Sequence, residues 1–304
     1  MASRRPGKKN SSRARATCLP EASPRLVDIL SRSATYLRRH GVPQPQLDAE
    51  RLIGHALGLP RLQLYLQHDR PLDPEELATV RALLQRRGKR EPIAWLLGMT
   101  GFHAVDLEIR PGVLVPRPDT ETLVDAALSW MSETPDPVYV ADVCCGSGCV
   151  GLALAAARPG LRVYATDLAP EAIETTRANI ARLGLKERVA VLSGDLLRPI
   201  PDGRPIDWVV SNPPYIPSAE IDGLEPEVSR WEPRLALDGG PTGLGVVHRL
   251  IAAAAVRVRI GVLLEVGKGQ APRTVEWLKQ AGFTVTDTWE DLGGVQRVVG
   301  GRRT

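Results

Sequence analysis

The sequence predicts an α/β protein, a mostly parallel sheet covered by helices on both faces, with a small helical bundle ahead of it. Three observations predict this. From Val138 onward, short β-branched runs alternate with helical stretches, the βαβ signature of parallel pairing. Acidic and amide side chains stand at the ends of successive strand runs, where ligands bind in open α/β sheets. Before that pattern, residues 23–88 hold four leucine-striped segments joined by brief turns, the habit of a bundle.

Residues 1–22 read as a disordered basic tail. Arg4, Arg5, Lys8, Lys9, Arg13 and Arg15 give the first 20 residues a charge of +6, so the remainder carries −2 although the whole chain carries +4. A near-neutral body offers no large basic face, and no direct nucleic-acid binding is expected. The tail lacks the apolar centre of a secretory signal. Its composition also fits a mitochondrial transit peptide, but a plain bacterial-type extension is the preferred reading. A hydrophobic content of 43% suits a packed core. No apolar run approaches the roughly 20 residues that a membrane span needs. Three of the four cysteines, Cys144, Cys145 and Cys149, crowd into six positions, poor spacing for a disulfide framework, so a reducing cytoplasm is expected.

In the bundle, Ser23 is expected to cap the first helix and Pro24 to open it, with Leu26, Leu30 and Leu37 on one stripe and Gly41 as the stop. Leu47, Leu52, Ile53, Ala56 and Leu57 mark the second helix and Leu62, Leu64 and Leu66 a short third. Asp73-Pro74-Glu75-Glu76 is a capping box opening the fourth, which Gly88 closes. His40, His55 and His68 have no acid or cysteine at ligand spacing, so structural or surface roles are expected, and the bundle reads as a partner-binding module.

Residues 89–304 are expected to form the second domain, entered through a linker at Lys89–Pro92 and a β-hairpin over 99–115. Pro116 and Pro118 stiffen the next turn, and Asp119 or Thr120 is expected to cap the helix carrying Leu123, Val124, Ala127 and Leu128. Strands are predicted over Val138–Val143, Leu161–Thr166, Val189–Leu192, Ile206–Ser211 and Gly261–Val266. Helices are predicted over Val150–Ala157, Pro170–Leu183, Leu244–Val258 and Pro272–Ala281. Phe283–Asp287 and Gln296–Val299 finish the sheet as an antiparallel edge pair.

The first strand runs into Asp142-Val143-Cys144-Cys145-Gly146-Ser147-Gly148. Glycines there allow tight turning and close ligand approach at a helix N-terminus. Gly146 through Gly151 also satisfies G-x-G-x-x-G, and Asp167 ends the second strand, so a nicotinamide-dinucleotide enzyme is an alternative. Against it, Asp142 precedes the glycines, where it would repel a pyrophosphate but suit a cation, and Asp195 ends the third strand. S-adenosylmethionine needs that distribution: an anion near its amino group and sulfonium, an acid for the ribose and an acceptor for the adenine. Each Asp alone would pass for a helix cap or turn residue. Cys144, Cys145 and Cys149 lack a fourth ligand, and no metal is expected. The fourth strand ends in Ser211-Asn212-Pro213-Pro214-Tyr215, which presents a planar amide, stiff carbonyl acceptors and an aromatic face.

Several stretches together resemble the PrmC/HemK family of protein-(glutamine) methyltransferases, which modify peptide chain release factors. They are Leu47–Leu52, Arg90–Ala94, Val115–Glu121, Asp142–Gly148, Asn212–Ile216, Glu232–Leu237 and Leu264–Gly267. Asn-Pro-Pro-Tyr alone is shared with nucleic-acid amino-methyltransferases; the proline-arginine loop joined to a helical N-terminal domain is more specific. The resemblance implies a class I (Rossmann-like) S-adenosylmethionine-dependent methyltransferase sheet. It implies an N-terminal domain that docks the release factor, whose Gly-Gly-Gln glutamine is the substrate. The cofactor-binding set is then Asp142, Cys144, Cys145, Gly146, Ser147, Gly148, Asp167, Asp195, Leu196 and Asn212. Asn212, Pro213, Pro214 and Tyr215 are expected to bind the glutamine, with Asn212, Pro213 and Tyr215 taking the catalytic part and the enzyme acting as a monomer. One departure stands out: the family usually has glycine where Cys144 stands and often threonine at Cys145. Three rival readings stay open: an amino-methyltransferase of nucleic acids, a related protein-glutamine methyltransferase with another protein substrate, to which the Cys144-Cys145 loop points, and a non-catalytic module that keeps the fold.

Overall fold

The computed structural model describes residues 24–304. The basic tail, Cys18 and the expected cap Ser23 lie outside the described residues. Helices α1 (Leu26–Arg39), α2 (Pro45–Leu57), α3 (Arg61–Leu66) and α4 (Pro74–Gly88) form the bundle. Leu26, Leu30, Ala34 and Leu37 of α1 bury one stripe against Leu52 and Ile53 of α2 and Val80 and Leu84 of α4. Before α4, the Asp73 carboxylate accepts from the Glu75 and Glu76 amides at 2.9 Å, and the Glu76 carboxylate accepts from the Asp73 amide at 3.1 Å. That reciprocal box stabilises the helix start by about 1 kcal/mol. Pro24 does not open α1: the helix begins after Arg25 without a side-chain cap, and the Pro24 carbonyl instead accepts from Leu72.

The expected linker leads into an unforeseen helix, α5 (Ile93–Leu97). Its Leu96 packs in the bundle's core, whereas Ala94 and Trp95 pack in the core beneath the sheet. The bundle's apolar cluster therefore runs on past residue 88. The hairpin is tighter than predicted, β1 (Met99–Phe102) against β2 (Val105–Glu108). Thr120 does not act as a helix cap. A 3₁₀ turn over Pro118–Thr120 feeds straight into α6 (Glu121–Met131), Thr120 has helical dihedrals, and its hydroxyl bonds elsewhere.

The main sheet contains β3 (Val138–Val143), β4 (Leu161–Asp167), β5 (Val189–Ser193), β6 (Trp208–Ser211), β7 (Gly261–Glu265), β8 (Val285–Glu290) and β9 (Gln296–Arg302) in the order β5-β4-β3-β6-β7-β9-β8. The first five are parallel, and β9 runs antiparallel to both β7 and β8, so on that side β8 is the edge and β9 is interior. Helices α7 (Cys149–Ala157), α8 (Pro170–Arg182), α9 (Pro226–Ser229), α10 (Gly245–Arg257) and α11 (Ala271–Gln280) complete the chain. Strand side chains alternate between two cores. Trp208, Val210 and Leu263 pack on the face of α6 and α7, and Val209, Val262 and Leu264 on the face of α10 and α11. The connections from β3 run outward through β4 and β5, then return to β6 on the other side. The crevice of a doubly wound sheet opens at that reversal, above the carboxyl ends of β3 and β6.

Candidate active site

The β3–α7 loop is built as a backbone cradle. Cys144, Gly146 and Gly148 all have positive φ, at 58°, 56° and 80°. The Gly146 amide donates to Asp167 Oδ2 at 2.9 Å, the Cys145 amide to the Thr166 carbonyl at 3.0 Å, and Thr176 Oγ1 to the Gly146 carbonyl at 2.9 Å. Asp142 lies beneath this loop rather than at its rim. Its carboxylate is 1% exposed and accepts from the Gly151 amide at 2.8 Å. A Cβ on Gly151 would sit 2.8 Å from that same oxygen, which gives the third glycine of the G-x-G-x-x-G match a packing cause. Burial raises the Asp142 pKa to about 7, with the Gly151 amide opposing and Asp167 adding to the rise. Burial likewise pushes all three described thiols up, Cys149 to about 12, so none is a thiolate at neutral pH.

Over this loop lies a cavity of about 160 Å³. Of the residues singled out in the sequence, Cys144, Gly146, Asp167, Asp195, Leu196, Asn212 and Pro214 line it. Asp142, Cys145, Ser147 and Gly148 stand behind that lining. Asp167 is held by the Gly146 and Ala169 amides, and burial raises its pKa. Asp195 pairs with Arg249, a lining residue that sequence reasoning passed over.

A second cavity, of about 180 Å³, opens on the far side of Asn212. Pro213, Tyr215, Arg117, Leu224 and Val228 line it, while Leu114, Asn212 and Ala236 line both cavities. The Asn-Pro-Pro-Tyr turn is thus a partition. Pro213 and Tyr215 face the second chamber, and Pro214 faces the first, unlike the grouping of all four with one ligand. Side chains from distant elements fix the partition. Ser211 Oγ donates to the Val143 carbonyl at 2.6 Å, Asn212 Nδ2 to Thr120 Oγ1 at 3.1 Å, and the Tyr215 hydroxyl to Glu265 Oε1 at 3.0 Å. Gln270 Nε2 donates to the Tyr215 carbonyl at 2.9 Å. Gly243 passes so close that a Cβ there would lie 2.3 Å from that carbonyl oxygen. Glu232, raised by burial, accepts from the Val115 amide at 3.2 Å and pairs with Arg117. Thr120, Glu265 and Gln270 were missed as site residues. The signals for Glu265 were an acid closing an apolar strand run, as Asp167 does, and its place in the family-like stretch Leu264–Gly267.

The PrmC N-terminal domain family matches residues 28–98 and the methyltransferase small domain family matches residues 124–223. The release factor glutamine methyltransferase of Geobacter sulfurreducens is 41% identical over 276 residues, covering 90% of this chain and 95% of that one. The chain belongs to the release factor glutamine methyltransferase family. A second member, from Mycolicibacterium smegmatis, is 39% identical over 279 residues, covering 90% of this chain and 96% of its own. Among solved structures, the catalytic domain of hMettl16 in complex with an RNA hairpin has a TM-score of 0.54 at 17% identity, over 75% of this chain and 81% of that one, a likeness of fold alone. The matched family segments place the bundle in the N-terminal match and Asn212 in the methyltransferase match. No helix among the described residues is long and apolar enough to cross a membrane.

Proposed function

We propose that the protein transfers a methyl group from S-adenosylmethionine to the side-chain amide nitrogen of a glutamine in a peptide chain release factor, with the Gly-Gly-Gln loop as target. The observation that carries this reading is Asn212 as the shared wall of two chambers. The first chamber suits the cofactor: it joins a positive-φ glycine loop to an acid at the β4 end and a second acid after β5. Asp167 has lone pairs left for ribose hydroxyls after its two backbone bonds. Both guanidinium contacts to Asp195 use Oδ2, which leaves Oδ1 for the adenine amino group. Asp142 acts from below, its carboxyl holding the Gly151 amide beneath the loop. S-adenosylmethionine bound there supplies an electrophilic methyl on a sulfonium.

The second chamber takes the glutamine. Its amide nitrogen is a weak nucleophile, so orientation has to supply much of the rate. Asn212 Oδ1 and the Pro213 carbonyl accept the two N–H bonds and aim the nitrogen through the gap beside Asn212. Tyr215, its hydroxyl tied to Glu265, packs along the amide plane. The nitrogen becomes acidic once alkylated and then loses its proton, so no dedicated base is invoked.

Docking of the release factor is assigned partly to the N-terminal bundle. A groove lined by Gln44, Asp48 and Arg51 of the bundle runs to Arg117 and Val228, which also line the glutamine chamber. One chain carries both chambers, so a monomer suffices, and the substrate implies a cytoplasmic setting. The test is incubation with labelled S-adenosylmethionine and purified release factors, then mass mapping of the modified residue. Label on the Gly-Gly-Gln glutamine is expected. Label on another residue alone, or none despite cofactor binding, would overturn the proposal.

A further inference from the structure

Among the described residues that line the second chamber, Arg117 alone carries a charged side chain. The walls are otherwise mostly apolar, with Leu114, Pro213, Leu224 and Ala236 among them. The other polar side chains already give a hydrogen away, Tyr215 to Glu265 at 3.0 Å and Asn212 Nδ2 to Thr120 at 3.1 Å. Arg117 and Val228 line both this chamber and the groove that runs to the bundle, so they mark its mouth.

The guanidinium at that mouth is held in place. Pro116 and Pro118 flank Arg117 and lock φ on either side of it. Glu232 Oε1 accepts from the Val115 amide at 3.2 Å, and Oε2 accepts from Arg117 Nη2, so one carboxylate fixes both the loop and the side chain. The Glu232 side chain is 1% exposed and that of Arg117 37%, which makes the acid the support and the guanidinium the reachable surface. A guanidinium carries five N–H donors in a rigid plane. Only Nη2 has a hydrogen-bond partner among the described residues, so Nε and Nη1 keep theirs for a guest.

A glutamine side chain that reaches in as far as Asn212 leaves its main chain at the mouth. Main-chain carbonyls that lose water there need donors. Glycine neighbours leave such a carbonyl uncovered and let it approach a fixed group closely. Resting on the glutamine reading above, we propose that Arg117 binds the substrate backbone. Its free N–H groups donate to the carbonyl oxygen of a peptide bond adjoining the glutamine, and Glu232 positions the guanidinium for that contact.

The test uses the full chain as wild type, Arg117→Lys and Arg117→Ala. The substrates are an intact release factor, a short Gly-Gly-Gln peptide, and two analogues with an ester in place of the peptide bond on one or the other side of the glutamine. An ester carbonyl is a weaker acceptor than an amide. Arg117→Ala is expected to raise KM about tenfold or more for peptide and release factor alike, and Arg117→Lys by less. The S-adenosylmethionine Kd by calorimetry stays within about twofold. One of the two esters should raise KM severalfold in the wild type and add nothing in Arg117→Ala. Unchanged KM in Arg117→Ala, or ester effects of equal size in the wild type and Arg117→Ala, overturns the inference. A second arm needs no turnover: the Kd of each dye-labelled peptide, read by anisotropy with S-adenosylhomocysteine present, should follow the same pattern. A wild type with no affinity for the peptide overturns the inference. One that binds the peptide without methylating it sinks the glutamine reading, and the anisotropy still decides the role of Arg117.

Discussion

At the scale of single residues, the proposed function gives Asn212 to the methyl acceptor and Asp167 to the methyl donor. Asn212→Ala should abolish transfer while cofactor affinity by calorimetry changes little; near-normal turnover would remove Asn212 from its role. Asp167→Ala should instead weaken S-adenosylmethionine binding, read by the same calorimetry. Asp142 carries a pH signature. Its pKa is raised to about 7 in the folded chain, so the native state holds a proton that the unfolded chain has already lost. Its contribution to stability is therefore present below pH 4 and lost as pH rises to about 7. Thermal unfolding should show that fall between pH 4 and 7 in the wild type, and Asp142→Asn should flatten it. Cys144 sits at φ 58° in a position that favours glycine. Cys144→Gly should be stabler than Cys144→Val by about 1–3 kcal/mol in urea denaturation, because a β-branched side chain strains most there. The acids were legible one by one, since each ends an apolar run. Thr120 was not: its partner Asn212 is 92 positions away, and a threonine before a helix reads as a cap.

Secondary-structure elements were legible in proportion to their length. Strands β3, β4 and β7 were read to within a residue, because apolar runs between glycine, proline and acid leave few choices. The five residues of α5 are too few to show a helical period. The short turns over Ile221–Gly223, Pro226–Ser229 and Arg234–Ala236 have no period either; each is a few local backbone hydrogen bonds, too few to leave a pattern in the sequence. Asn179 shows what sequence pattern cannot. Read as one polar residue of α8, it is fully buried and joins three elements: Nδ2 donates to the Ser147 and Glu108 carbonyls at 3.0 Å, and Oδ1 accepts from the Glu108 amide at 2.7 Å. Asn179→Ala strands these groups and should cost about 2–4 kcal/mol in urea unfolding. A loss below about 0.5 kcal/mol would mean that the hairpin and the glycine loop do not depend on it.

Across the whole molecule, the bundle and the site meet at α9. Glu227 reaches the bundle side, pairing with Arg87 at 2.8 Å and with Arg90, while its neighbour Val228 lines the second chamber. Arg87 is itself buried and held by Asp48 at 2.8 Å, and Trp231 Nε1 donates to the Lys89 carbonyl at 3.2 Å. Glu227→Ala should raise KM for an intact release factor severalfold while a short Gly-Gly-Gln peptide is methylated as before; equal effects on both substrates would uncouple α9 from docking. This seam was not legible in the sequence, since it joins positions 137 apart. The partition at Asn212 carries one further consequence. Leu114, Asn212 and Ala236 bound both chambers, so a guest in one sets the wall presented to the other. Binding at the two sides is then thermodynamically linked, and linkage is reciprocal. Whatever factor the methyl donor adds to the grip on the glutamine, the glutamine must return to the grip on the donor.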